Sequence, residues 1–196
     1  MLIIVLAYLV GAIPGGYLLN RLTHRLYGPG LHERLERIHG SAIYSSLADI
    51  GKGALVAWAI PAFGSWLQGT PWNWLVRPFV SPGLREVAAL LTAVAGHVLS
   101  VYVCGWGGRG ISVTFGAFLV LAPVPALCAL GVCAVVAALT RTVWKGAVVA
   151  LWVLPALIWY FDRQALLYQG AALAIALVSV ATHFNVLRPH ASRSAR

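Results

Sequence analysis

The 196-residue chain is 60% hydrophobic and only 10% charged, with a mean hydropathy of +0.83. Soluble domains carry about 25% charged residues and disordered chains are polar, so both classes are excluded. The 14 Lys and Arg against 5 Asp and Glu give +9; lying between apolar runs, these cations point to membrane orientation and to anionic headgroups or substrates, with no nucleic acid implied.

What remains is an all-α fold, a polytopic membrane helical bundle forming one integral-membrane domain over 1–196. The first apolar run has no basic flank and no small-x-small cleavage site before Arg21, so it reads as a retained anchor. A hydrocarbon core ~30 Å thick needs ~20 apolar residues per helix. This predicts spans over 2–20, 50–68, 86–104, 111–122, 124–140, 143–161 and 165–182. Residues 111–140 are divided because Pro123 and Pro125 remove backbone donors at their middle. The first of the two resulting helices is short, and should pack inside the bundle.

Seven spans with the N-terminus outside and the C-terminus inside put eleven of the 14 basic residues on the inner side, leaving only Arg77, Arg85 and Arg163 outside. That is the asymmetry expected of a cytoplasmic face. The outer segment 69–84 carries Trp72 and Trp74, suited to a headgroup-level aromatic belt. The three cysteines, Cys104, Cys128 and Cys133, lack metal or redox spacing and read as small core residues.

Every polar cluster falls at an inner end of a span. Asp49 opens the second span, with Lys52 one turn on, as a helix cap and ion pair or as part of a site. His97 lies within an apolar run, either as a hydrogen-bonded interhelical histidine or as a proton acceptor or substrate partner. Gly107, Gly108, Arg109 and Gly110 open the fourth span. Glycines at a helix start let backbone N–H groups approach an anion, and arginine supplies a phosphate-matched fork; alone, the same four residues also describe a tight turn. Arg37 and Ser41 in the first inner loop, and His183, Asn185 and Arg188 at the last span's exit, bring further cations and hydrogen-bonding groups to that side.

Four separated motifs, in order, resemble the bacterial integral-membrane acyl-phosphate:glycerol-3-phosphate acyltransferases, the PlsY family. The opening from Ala7 to Leu19 is similar to YLLGSIPFGYL, and residues 49–54 to DxxKGA. Residues 96–110 are similar to GHxxPxxxxFKGGKG, with Ser100 at the proline, Trp106 at the first lysine and Arg109 at the second. Residues 185–188 are similar to NIxR. The family's first loop is matched at its start by Arg37 to Ser41 and diverges beyond it, and Trp144 stands where the family usually has serine.

The resemblance implies seven spans and transfer of a fatty acyl group from acyl phosphate to glycerol 3-phosphate, or a related phosphorylated acceptor, without metal, cofactor or acyl-enzyme. It implies catalytic roles for Ser41, His97, Arg109 and His183. Substrate phosphate would fall to Arg37, Lys52, Gly107, Gly108, Gly110, Asn185 and Arg188. The expected location is the inner (plasma) membrane, as a multi-pass protein in contact with membrane lipid and with a cytoplasmic active face. A second reading, carried by the divergent loop and Trp106, is a non-catalytic member serving as a membrane binding or scaffold protein.

Overall fold

The computed structural model describes residues 2–15, 25, 45–59, 62–66, 69–70, 81–103, 108–163 and 165–183. Helix α1 covers Leu2–Ala12 and α2 the helical stretch 45–59; α3 is Pro82–Val98, followed by a 3-10 turn at Val101–Val103. Then come α4 (Ile111–Leu121), α5 (Pro123–Thr140), α6 (Val143–Phe161) and α7 (Leu166–His183). Residues 62–66 are also helical, and no strand occurs among the described residues.

Local chemistry accounts for the boundaries. The expected division of 111–140 is present: α4 ends at Leu121 and α5 begins at Pro123, joined by Ala122 alone. Helix α4 is short and interior, with Ile111 and Val113 to Phe118 all buried. The span expected over 2–20 is interrupted, because α1 stops at Ala12 and Ile13 and Pro14 are not helical; Pro14 has no N–H to continue the ladder. Helix α3 starts four residues before the expected position, since Ser81 Oγ accepts from Leu84 N at 3.3 Å and Pro82 occupies the first turn. It also ends at Val98, so His97 stands in the last turn, not deep within a span. Trp72, Trp74, Cys104 and Trp106 lie outside the described residues.

The core is apolar, with Ile3, Leu90, Phe118, Leu151, Leu154, Ile158 and Ile175 almost wholly buried. Helix α1 packs on α3, α5 on α6, and α6 on α7. The outer surface is apolar as well. Leu127, Val135 and Leu139 of α5 and Trp152, Trp159 and Tyr160 of α6 face outward. By length and composition α5 and α6 are each sufficient to cross a membrane. Cys128 is on this outer surface and Cys133 is half-buried, which corrects the expectation that both are core residues: only one face of α5, that of Pro125, Ala126 and Ala129, is buried.

Two helix contacts depend on reciprocal glycines. A Cβ on Gly11 of α1 would stand 2.1 Å from Ala93 O of α3, and one on Gly96 of α3 would stand 2.3 Å from Tyr8 O of α1. A Cβ on Gly53 of α2 would stand 1.9 Å from Val113 O of α4, and one on Gly116 of α4 would stand 1.9 Å from Ile50 O of α2. Backbones this close exclude any side chain at the crossing, the small-residue packing favoured between apolar helices. By contrast, nothing lies within 4 Å of a Cβ at Gly131. Thermal unfolding in detergent should therefore separate two otherwise identical changes. Gly116→Ala should destabilise by about 1–3 kcal/mol through overpacking, and Gly131→Ala should stabilise by about 0.5–1 kcal/mol through helix propensity. Equal responses would contradict the close crossing.

Candidate active site

Alternating helix direction gathers one set of ends. Helices α1 and α3 end, and α2, α4 and α6 begin, on the same side of the bundle: Lys52 of α2 reaches Gly11 O and Ile13 O at the end of α1, Ser100 just past α3 reaches Ala12 O, and the starts of α4 and α6 line one cavity with Asp49 and His97. Helix α7 returns to that side and finishes at His183.

The end of α1 carries unsatisfied carbonyls, as every helix C-terminus does. Side chains from two other helices take them up. Lys52 Nζ of α2 donates to Ile13 O at 2.7 Å and to Gly11 O at 3.3 Å. Ser100 Oγ, just past α3, donates to Ala12 O. A proline at position 100 would have no such donor, so the serine has a structural reason. Tyr8 OH donates to Leu99 O at 2.6 Å, tying the same two segments again.

Lys52 also reaches His97, its Nζ lying 3.2 Å from Nδ1. Asp49 Oδ1 is 2.8 Å from the ammonium as an ion pair outside hydrogen-bond geometry. The ammonium's three hydrogens thus meet three acceptors: Ile13 O, Gly11 O and His97 Nδ1. His97 Nε2 is 3.7 Å from Asp49 Oδ2. The segment after α3 folds back on it, with Gly108 N donating to His97 O at 3.0 Å. A Cβ on Gly108 would stand 2.1 Å from His97 Nε2, so this glycine permits the imidazole's placement.

Gly110 has φ +76, a left-handed conformation natural to glycine, and its carbonyl takes both Thr114 N and Thr114 Oγ1. No side chain caps the start of α4, nor that of α6 at Thr142. Both uncapped starts open on one cavity of about 450 Å³. Its polar wall is formed by Ser45, Ser46, Asp49 and His97 with Gly108, Arg109, Gly110 and Ser112. Its apolar wall is Ile111 with Val143, Trp144 and Ala147. The Arg109 guanidinium carbon is 6.0 Å from the centre of the Trp144 ring and Lys145 Nζ is 5.9 Å from it, so one indole borders two cations.

Of the residues singled out from the sequence, His97, Gly108, Arg109 and Gly110 therefore meet at one cavity, and Lys52 lies behind it, engaged with α1. His183 ends α7. Arg37, Ser41, Gly107, Asn185 and Arg188 lie outside the described residues. Ser45, Ser46, Ser112 and Trp144 line the cavity without having been singled out as site residues. Ser45 sits four residues before Asp49, and Ser112 follows the glycine run by two, so helical spacing alone would have placed both. The electrostatics favour an anion. Two positive helix-dipole ends and Arg109 face the space, and its carboxylate, Asp49, is paired with Lys52.

Residues 1–191 match the family described as Glycerol-3-phosphate acyltransferase. A glycerol-3-phosphate acyltransferase of Synechococcus sp. is 32% identical across 100% of this chain and 90% of its own length. One from Trichlorobacter lovleyi is 30% identical across 93% of this chain and 89% of its own. The fold is similar to the crystal structure of PlsY (YgiH), an integral membrane glycerol 3-phosphate acyltransferase in its lysophosphatidic acid form. That match has a TM-score of 0.64 at 19% identity and covers 95% of this chain and 89% of the other. With residues 1–191 of its 196 matched to that family, the chain belongs to the glycerol-3-phosphate acyltransferase enzymes.

Proposed function

We propose that this protein transfers a fatty acyl group from acyl phosphate to glycerol 3-phosphate, forming lysophosphatidic acid for phospholipid synthesis. The hydroxyl oxygen of glycerol 3-phosphate bonds to the acyl carbon, the bond from that carbon to the phosphate oxygen breaks, and the hydroxyl proton leaves with inorganic phosphate. The observation that carries this reading is the convergence of two uncapped helix starts and Arg109 on one cavity with an apolar second wall. Such a space suits a phosphorylated headgroup joined to an alkyl chain.

Acyl phosphate is already activated, so alignment and neutralisation of charge provide most of what the reaction requires. Arg109 and the N–H groups at the start of α4 take phosphoryl oxygens. Ser45, Ser46 and Ser112 are placed to orient the acceptor's hydroxyls. His97 lends a hydrogen bond from the polar wall of the cavity. On the family resemblance, Ser41 and His183 take part in catalysis, and Arg37, Gly107, Asn185 and Arg188 bind substrate phosphate. Lys52, expected from the sequence to bind phosphate, acts instead as the clamp between α1, α2 and His97, since its three hydrogens already have acceptors.

The apolar outer surface of α5 and α6 supports a multi-pass protein of the inner (plasma) membrane, organised as one domain. Seven spans with the N-terminus outside set the cavity on the cytoplasmic side, where the Lys and Arg excess lies.

Purified protein given palmitoyl phosphate and glycerol 3-phosphate should release lysophosphatidic acid and inorganic phosphate in equal amounts; phosphate release without the lipid product would refute the acceptor. Arg109→Ala should lower kcat/KM by about 100-fold or more, and an unaffected enzyme would remove Arg109 from the site. Gly108→Ala should lower kcat with little loss of fold, because its methyl group displaces the imidazole. Unchanged turnover in that variant would show that His97 has no part in the reaction.

A further inference from the structure

We infer that Lys52 and Asp49 are positioning residues that lock His97 as its Nε2–H tautomer, so that His97 serves the reaction as a fixed hydrogen-bond donor and not as a base. This role rests on the acyltransferase reading of the cavity and assigns a direction to one of its hydrogen bonds.

An ammonium group has donors and no acceptor. At 3.2 Å from Lys52 Nζ, the imidazole Nδ1 can only accept. The hydrogen of the neutral ring is then on Nε2, the nitrogen beside Gly108 at the cavity wall. Lys52 cannot turn away, because Ile13 O and Gly11 O hold its other hydrogens and Asp49 Oδ1 holds its charge. Asp49 addresses both ends of the arrangement. Oδ1 faces the ammonium, and Oδ2 lies 3.7 Å from Nε2, too far to capture its hydrogen but near enough to favour a donor there. Arg109 is the other charged residue lining this cavity among those described. The Nε2–H therefore has a phosphoryl or developing carbonyl oxygen of the substrate as its natural acceptor, as Arg109 does.

The tautomer is directly observable. Full-length protein labelled with 15N-histidine in micelles should show, for the resonance lost in His97→Gln, an unprotonated Nδ1 and a protonated Nε2. Lys52→Met should convert that pattern to a mixture. A proton on Nδ1 in the wild type overturns the lock whether or not the protein is active, whereas the expected pattern in a protein without acyltransferase activity overturns only the reading of the reaction. Kinetics supply the second arm. Glutamine offers an N–H near the position of Nε2 and cannot serve as a base, so His97→Gln should retain about 10-fold more activity than His97→Ala. Equal loss in the two variants overturns the donor role. Lys52→Met should lower kcat about 10-fold with the KM for glycerol 3-phosphate nearly constant; a rise in KM alone would make Lys52 a phosphate ligand.

Discussion

The carbonyl oxygens left over at the end of α1 set the terms for this half of the molecule. In an apolar environment an unpaired peptide carbonyl costs about 2–7 kcal/mol, and Pro14 prevents the chain from hiding them by continuing the helix. Three successive residues, Gly11, Ala12 and Ile13, receive donors from Lys52 and Ser100. The two donors lie on different elements, so satisfying α1 also fixes where α2 and α3 stand. A cation at this helix end is further favoured by the macrodipole. The site is built on that junction: the lysine which closes α1 also holds the histidine that faces the cavity.

Such a junction requires backbones that approach more closely than side chains ordinarily allow. Gly11 and Gly96 bring α1 against α3, while Gly53 and Gly116 bring α2 against α4. Without the first pair Tyr8 could not reach Leu99 O. Without the second, the start of α4 would stand away from Asp49 and Ser45. The four glycines thus connect the packed interior of the bundle to its polar end, through backbone contacts alone.

Much of this is legible in the residues, for identifiable reasons. The break at Ala122 follows from Pro123 and Pro125, and α6 occupies the expected 143–161 because polar residues bound its apolar run. Hydropathy overstates the length of α1, although Pro14 is in plain view, because apolar character continues past the point where the hydrogen-bond ladder fails. It places His97 too deep for the same reason: Val98, Leu99 and Val101 are apolar but only Val98 belongs to α3. That Arg109 and Gly110 stand at the opening of a helix is legible in the local sequence, since a helix start is a local feature. The task of Lys52 is not, because its acceptors include main-chain atoms some forty residues away, and main-chain acceptors leave no mark on composition.

The brevity of α4 bears on how strongly its start can act on a charge. Its eleven residues rise ~16 Å, and Ile111 and Val113 to Phe118 are all enclosed by protein. The aligned peptide dipoles of this helix therefore run through surroundings with little water to screen them. Their pull at the Gly110 end is weakened less than that of an equal helix lying free in solvent.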